Sequence, residues 1–412
     1  MNFTPISRFK TLPKEVWLGW ISSLVEAYNM AIYSFIAPLL ASLLFQKATA
    51  GNAVFFSYSL VLIGSCLLYP LGAIYYGFIG DRQGRQKTCI YSTLGLAIAT
   101  GMMGFVPFHF LEGEAWICFL VLICTQHFFS GGEYHGSIVF SLEHSEKKQN
   151  GLMSSLSCLF AVFGLVAANG LATLSSLMDN EQWIRVCFFV GALGGLISYL
   201  LKNHCQETPA FTAISQESLK GANWTNFIKS NWGAIGTVVG VLAFFLVSYT
   251  FIFIFLPLEH SAQTTNQSFD TFKSLIAYGL LLVLAGLIAD RIGIEKTMLT
   301  GIWLFAIAII PSCYLYENLF SLQITLTACA CLVIGPIHSW MLHQFEVKNR
   351  CRGIFISSAI ATSIFGGSTV PICLMIFEKS HSLVICCLYP LSIALCAFGC
   401  LIFDQKTKEV LA

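Results

Sequence analysis

Gly77-Phe-Ile-Gly-Asp81-Arg82-Gln-Gly84-Arg85-Gln-Lys87 occurs twice in spirit: Gly286-Leu-Ile-Ala-Asp290-Arg291-Ile-Gly293-Ile-Glu-Lys296 repeats its spacing. From Asp81 to Asp290 is 209 residues, close to half of the 412-residue chain. A period that long reads as two similar halves rather than a string of small repeats. Each copy closes a long apolar run. Gly77 permits a helix from the other half to approach closely. Gly84 permits a tight turn into the next helix. A carboxylate at Asp81 can cap the N-terminus of that neighbouring helix and pair with Arg85. The plainer alternative is a basic loop that only fixes topology, and the second copy at the corresponding place argues against it. Gly77, Asp81, Arg82, Gly84, Arg85, Asp290 and Arg291 are therefore expected to form a gating loop.

Working outward, the composition says what these runs are. Hydrophobic side chains make up 56% of the chain and charged ones 10%, with mean hydropathy +0.74. Soluble domains carry about 25% charged residues, so this chain cannot cover a water-facing surface. A net charge of +1 without a long basic run excludes a nucleic-acid footprint. The 16 cysteines lie mostly inside apolar runs, at no zinc spacing, and read as small packing residues. No metal and no cofactor is expected. The chain has no GxxxxGK[ST] loop for ATP. Nor does it show a nucleophile–base constellation, so it is not expected to be an enzyme.

Twelve runs are long enough to span a bilayer: 16–45, 53–79, 87–108, 115–142, 151–177, 183–202, 230–257, 270–289, 296–315, 318–342, 353–377 and 382–403. They are continuous rather than alternating, which excludes a barrel. The first is too long for a signal peptide and lacks a small-residue cleavage site. With the N-terminus inside, 18 of the 22 Lys and Arg fall on one side; Lys47, Arg185, Lys273 and Lys379 fall on the other. Such a split puts both termini in the cytoplasm and demands an even number of helices. The expectation is an all-α membrane protein of twelve transmembrane helices in two pseudo-symmetric six-helix bundles. Residues 1–203 would form the first bundle, 204–228 a central cytoplasmic loop and 229–412 the second bundle. Two six-helix halves are a recurring plan of secondary transporters.

At these residues the chain resembles the major facilitator superfamily, and the resemblance in layout covers the whole chain. Within it, several stretches are similar to the metabolite:proton symporter family, which includes the proline/betaine, citrate and 2-oxoglutarate carriers. Glu26-Ala-Tyr28-Asn29 with Tyr33 and Ala37-Pro38 matches that family's first helix; Tyr69-Pro70-Leu71-Gly72 matches its second. Gly131-Gly132-Glu133-Tyr134-His135-Gly136 with Glu143 matches the fourth, and Ile364-Phe365-Gly366-Gly367 before Pro371 the eleventh. Glu207-Thr208-Pro209 with Phe211 is a fifth echo. The departures fall at positions the family places near its cavity: Asn29 replaces an Asp, Tyr69 an Arg, and Ser358-Ala359 a Tyr-Asn pair. The tail Asp404 to Ala412 is too short for the coiled coil of osmosensing betaine carriers, so that form of osmosensing is not expected. Helix 5 carries Gly164 to Gly170 without a proline, unlike the drug:proton antiporters of the superfamily.

Few ionisable residues fall inside the spans: Glu26, Glu133, His127, His135 and His338, with no Lys or Arg clearly among them. A charge at mid-bilayer costs roughly 2.5–3.5 kcal/mol on insertion scales, so each needs a use or a partner. Glu133 heads the candidates for proton coupling, with a permanently protonated packing residue as its alternative. Glu26 follows, because residues 26, 29, 30 and 33 share a helical face that would present Glu26, Asn29 and Tyr33 together. His127 and His338 are weaker candidates, since a lone membrane histidine is usually a structural donor. Trp340 and Tyr249 are further candidates for the cavity wall. Gly335-Pro336 and Gly366-Gly367 with Pro371 would interrupt helices 10 and 11, as at many transporter sites. The expected function is proton-coupled symport, importing a small polar metabolite: an amino acid, a betaine or an organic acid. The carboxylates favour a zwitterion or cation, and the missing helix 2 Arg disfavours a di- or tricarboxylate. An uncoupled facilitator and a transport-dead sensor are the alternatives. The partners implied are the solute, protons and the bilayer of the bacterial inner membrane, with no nucleic acid and a monomeric carrier.

Overall fold

Each of the twelve expected spans coincides with a helix in the computed structural model, which describes residues 12–45, 50–107, 114–145, 150–178, 181–214, 224–260, 267–315 and 318–411. Arg8, Lys10, Lys47, Lys147, Lys148 and Lys220, counted above for orientation, lie outside these residues. The first half comprises α1 Lys14–Leu44, α2 Ala50–Arg82, α3 Arg85–Gly104, α4 Ala115–His144, α5 Asn150–Met178 and α6 Glu181–Lys202. In the second half, α7 runs over Trp224–Thr250 and continues through a π-helical turn, Phe251–Phe255, into Leu256–His260. Then follow α8 Gln267–Ile292 and α9 Ile294–Leu315. Helix α10 has two pieces, Leu319–Ile334 and Ile337–Gln344, and α11 runs from Arg350–Ala361 through a π turn, Thr362–Gly366, to Thr369–Ser380. Helix α12 is Leu383–Leu411.

The halves are built alike. In the first, α2 packs on α4 and α3 on α6; in the second, α8 packs on α10 and α9 on α12. The two main contacts between the halves are α5 with α8 and α2 with α11, with smaller ones of α4 and α5 on α10 and of α4 on α11; the repeat that maps α2 onto α8 maps α5 onto α11. Close contact is bought with small residues. A Cβ on Gly77 would stand 3.1 Å from the Arg352 Cα, so α2 and α11 touch backbone to backbone there.

Among the described residues, eleven helices are long and apolar enough to cross a membrane. Helix α3 is the exception to the expected twelve, because it carries Thr88, Ser92, Thr93 and Thr100. Its hydroxyls are absorbed inside the bundle: Thr93 and Thr100 each donate to the carbonyl four residues back, and Ser92 donates to a carboxylate of a neighbouring helix, which lets a polar segment sit in an apolar bundle.

The helix interruptions fall where glycine and proline place them, with one addition. Pro336 separates the two pieces of α10. The π turn of α11 ends at Gly366. The π turn of α7 has no glycine, but it precedes Pro257, which has no N–H for the carbonyl of Phe253. The Gln323 side chain reaches from α10 to donate to the Ile252 carbonyl at 2.9 Å and accepts from Ser274 of α8 at 2.8 Å. All sixteen cysteines are free thiols, nine of them buried.

Candidate solute cavity and interhalf latch

Helices α1, α2, α4 and α5 of one half and α7, α8, α10 and α11 of the other enclose a cavity of about 240 Å³. Among the described residues, its wall carries one carboxylate, Glu26, and neither Lys nor Arg. Glu26 accepts a hydrogen bond from Ser130 at 2.7 Å. Tyr69, Tyr134, Tyr249 and Tyr278 contribute aromatic surface from both halves, and Ser65, Ser358 and Thr362 contribute hydroxyls. His127 also faces the cavity. Its Nδ1 lies 2.9 Å from the Ile123 carbonyl. A carbonyl only accepts, so Nδ1 carries the proton and a neutral ring offers Nε2 as an acceptor.

The face of α1 turned to the cavity is Glu26, Met30 and Ser34 with Ala27 and Ala31. Asn29 and Tyr33 do not join it, which corrects the expectation that Glu26, Asn29 and Tyr33 are presented together. Asn29 is wholly buried and donates to the carbonyls of Val25 and Gly191, the latter on α6. Tyr33 donates to the Ser57 carbonyl of α2 at 3.2 Å. The reason is geometric: positions 26, 30 and 34 keep one helical row, while 29 and 33 lie on the adjacent row, which in this bundle meets α6 and α2.

Glu133 lies inside the first half rather than on the cavity wall. Its Oε1 accepts from Lys202 Nζ at 2.6 Å, Ser22 at 2.7 Å and Ser137 at 3.1 Å; its Oε2 accepts from Ser92 at 2.5 Å. Lys202 also donates to Thr93 Oγ1 at 2.6 Å. Both partners of the ion pair are buried. The count of basic residues puts Lys202 on the loop side, and the spans lead to no expectation of a basic residue among the buried acids. Lys202 corrects that reading by folding back from the last position of α6. Helices α1, α3, α4 and α6 are tied together at this one carboxylate.

His338 packs behind the cavity against Tyr134 and His135, with its Nδ1 3.4 Å from Cys158 Sγ. Of the two aromatic candidates, Tyr249 lines the cavity, whereas Trp340 is buried beside a separate surface pocket near Asp290.

At the basic face, where α1 begins and α12 ends, the repeated loops act across the halves. Asp81 accepts from the Cys351 amide at 3.0 Å, the Arg352 amide at 3.1 Å and Arg352 Nε at 3.0 Å. Those amides are unpaired donors at the start of α11, and the carboxylate caps them. Asp290 does the same for α5, accepting from the Gly151 amide at 2.8 Å and the Leu152 amide at 3.0 Å. Asp81 caps as expected, but its close ionic partner is Arg352. Arg85 lies 3.8 Å from Asp81 and 3.3 Å from Glu143. Glu143 also takes Arg350 Nη1 at 2.7 Å and the Thr208 hydroxyl at 2.6 Å. Arg82 and Arg291 are exposed; Arg82 lies over the Phe78 ring.

Gly84 has φ +111° and its missing Cβ leaves room for the Glu207 carboxylate, which accepts from the amides of Arg85 and Gln86 at 3.0 and 3.1 Å. Glu207 thereby caps α3. In the sequence Glu207 and Thr208 stand only as a family echo and Arg350 and Arg352 only in the count of basic residues, none of them in the latch. Their partners lie more than 60 residues away along the chain, and nothing local marks such a pairing.

Two six-helix halves around a central cavity, crossing at two symmetry-related helix pairs and capped across one face, define a multi-pass membrane transporter of the major facilitator fold. The chain belongs to the family described as "Sugar (and other) transporter", whose profile matches residues 18–232. It is 26% identical over 370 residues to the proline/betaine transporter of Escherichia coli (strain K12), covering 84% of this chain and 71% of that one. It is 23% identical over 447 residues to the ectoine/proline transporter of Corynebacterium glutamicum, covering 99% and 86%. Among solved structures it is similar to the proton:xylose symporter XylE bound to 6-bromo-6-deoxy-D-glucose, with TM-score 0.76, 15% identity and coverage of 95% and 94%. It is also similar to the human organic anion transporter MFSD10, with TM-score 0.68, 14% identity and coverage of 94% and 100%.

Proposed function

We propose that this chain is a proton-coupled symporter that imports a small zwitterion, of the size of an amino acid or a betaine, by alternating access. The observation that carries this reading is the cavity wall: a single carboxylate, Glu26, among tyrosines, hydroxyls and His127, without a Lys or Arg. A dicarboxylate would meet no cation there. Relatives named for proline, betaine and ectoine support the solute class.

The position of Glu26 sets how a proton and a solute can travel together. If the carboxylate paired with the solute's cation, proton and solute would compete for one group and exchange would result. In symport, protonated Glu26 donates its O–H to the solute's anionic end, and deprotonated Glu26 repels that end. The solute's cationic end rests on the faces of the tyrosines, where the ring quadrupole attracts it. Alternating access moves the loaded, net-neutral cavity contents across without an unpaired charge in the lipid. His127 Nε2 is a further acceptor on the same wall. Glu133, held by Lys202, anchors the first half. The carrier works as a monomer in the bacterial inner membrane with its basic face to the cytoplasm, in keeping with the distribution of Lys and Arg.

Uptake into proteoliposomes under an imposed pH gradient, over amino acids, betaines and carboxylates, tests this reading. Wild type should accumulate a zwitterion only when the outside is acidic. Glu26→Gln, which keeps a donor but cannot release a proton, should retain solute exchange and lose gradient-driven accumulation. Accumulation by Glu26→Gln at the wild-type level would refute the role of Glu26. Equilibration of wild type without any response to the gradient would make the chain a facilitator.

A further inference from the structure

We propose that His135 and His338 form a proton-responsive floor of the cavity, whose charging parts the two halves at the basic face. The proposal rests on the cavity being the transport site, and it assigns the step that follows loading.

His135 belongs to α4 in the first half and His338 to the second piece of α10 in the other. Their ring centroids are 5.6 Å apart at an interplanar angle of 45°. His135 lines the cavity and His338 lies behind it. Along α4, His135 stands eight residues from Glu143 of the latch, about 12 Å at helical rise. The ring pair therefore lies between the solute and the basic face.

The rings meet beside the break in α10, and that break is docked onto the opposite half. The last carbonyls of the first piece of α10 lie at the break, and α5 takes them up: Ser154 donates to the Gly335 carbonyl at 2.6 Å, and Cys158 donates to the Ile334 carbonyl at 3.5 Å. A Cβ on Gly335 would come 2.7 Å from Ser155 Oγ. The contact is close, polar and made of two different halves, so it can exist only while the basic face is shut.

Within this closed contact, His135 Nδ1 and His338 Nε2 are buried without a hydrogen-bond partner. The titratable groups around the pair are Tyr134 on α4, Cys158 on α5 and, along the same cavity, Glu26 on α1, Tyr69 on α2, Tyr249 on α7 and Tyr278 on α8. The one carboxylate of that set, Glu26, is engaged with Ser130. Two neutral imidazoles pack acceptably in such a place. An imidazolium there would face a neutral ring with no anion in contact, and it would gain water once the halves separate. The parted form thus binds protons in preference, and acid shifts the population toward it. A proton that reaches the ring pair favours the open inner exit, and its loss to the cytoplasmic side lets the floor close again, separately from the proton that Glu26 holds for the solute.

Cys351 is the reporter. It is buried in the latch, with its amide on Asp81, and parting of the basic face uncovers it. Full-length protein in nanodiscs is labelled with N-ethylmaleimide at pH 6 and pH 8. Labelling of Cys351 is read by peptide mass spectrometry, each rate divided by that of the unfolded protein at the same pH. Wild type is expected to label roughly threefold or more faster at pH 6, a modest population shift. His135→Gln/His338→Gln should abolish the difference, and Asp81→Asn should label fast at both pH values as the open reference. Each single Gln variant is run as well, so a double variant that fails to fold still leaves the comparison. The proposal is overturned if wild type shows no pH response or if the histidine variants keep it. Glu26→Gln should keep the response. If that variant also accumulates solute normally, the coupling role of Glu26 fails while the histidine floor stands.

Discussion

Asp81 on the first half and Arg352 on the second meet through two bonds, one to the Arg352 amide at 3.1 Å and one to its Nε at 3.0 Å. One carboxylate therefore serves as both helix cap and ion-pair partner across the moving interface. Asp290 caps α5 through two amides at the equivalent place. The first latch should be the stronger. Asp81→Asn is expected to favour the basic-face-open form by about 2–3 kcal/mol, since it removes a buried charge-assisted contact. Asp290→Asn should do so by about 1 kcal/mol. Cys351 labelling rates of the two variants at pH 8 give the comparison; equal rates would contradict the asymmetry.

Gly84 and Gly293 both have positive φ, +111° and +100°. They differ in their surroundings. An added Cβ at Gly84 runs into the Glu207 carboxylate, whereas at Gly293 nothing lies within 4 Å. Gly293→Ala should cost only the backbone strain, about 1 kcal/mol. Gly84→Ala should cost more, because Glu207 must also leave the amides of Arg85 and Gln86. Thermal unfolding of the detergent-solubilised protein measures both, and a Gly293→Ala loss equal to that of Gly84→Ala would contradict the capping role of Glu207.

Lys202 and Glu133 should behave as a unit. Removing one partner leaves a buried charge without its counter-charge, which costs roughly 3–5 kcal/mol. Lys202→Met and Glu133→Gln should each lower the melting temperature strongly, and the double variant should recover much of the loss. A double variant whose loss equals the sum of the singles would show that the pair is not coupled.

The latch was the most legible part of the molecule, because its logic is repeated: Asp81 and Asp290 sit at matching places, and a carboxylate at a helix exit has few uses. Eleven of the twelve helices were legible from hydropathy, and α3 needed the sidedness of Lys and Arg, which demands an even count. The cavity wall was legible only in part. Glu26 stands where a helical face predicts, but Asn29 and Tyr33 show that a face four residues wide is divided among several neighbours, and His127 was marked only as an ionisable group inside a span. Lys202 was hidden for a different reason. A long side chain at a helix end can point to water or fold back, and the choice depends on the hydroxyls of α1, α3 and α4, which no local pattern reveals. The π turn of α7 was invisible because its cause, Pro257, follows it.

Glu143 holds Arg350 of the second half with one oxygen and Thr208, six residues past the end of α6, with the other. Glu207, beside it, caps α3. The segment that leaves the first half is thus wired into the same bolt that fastens the second. Tension on that segment is delivered to the bolt itself. A fusion partner or binding protein pulling on it would act as a brake or a release for the whole carrier, without ever touching the solute.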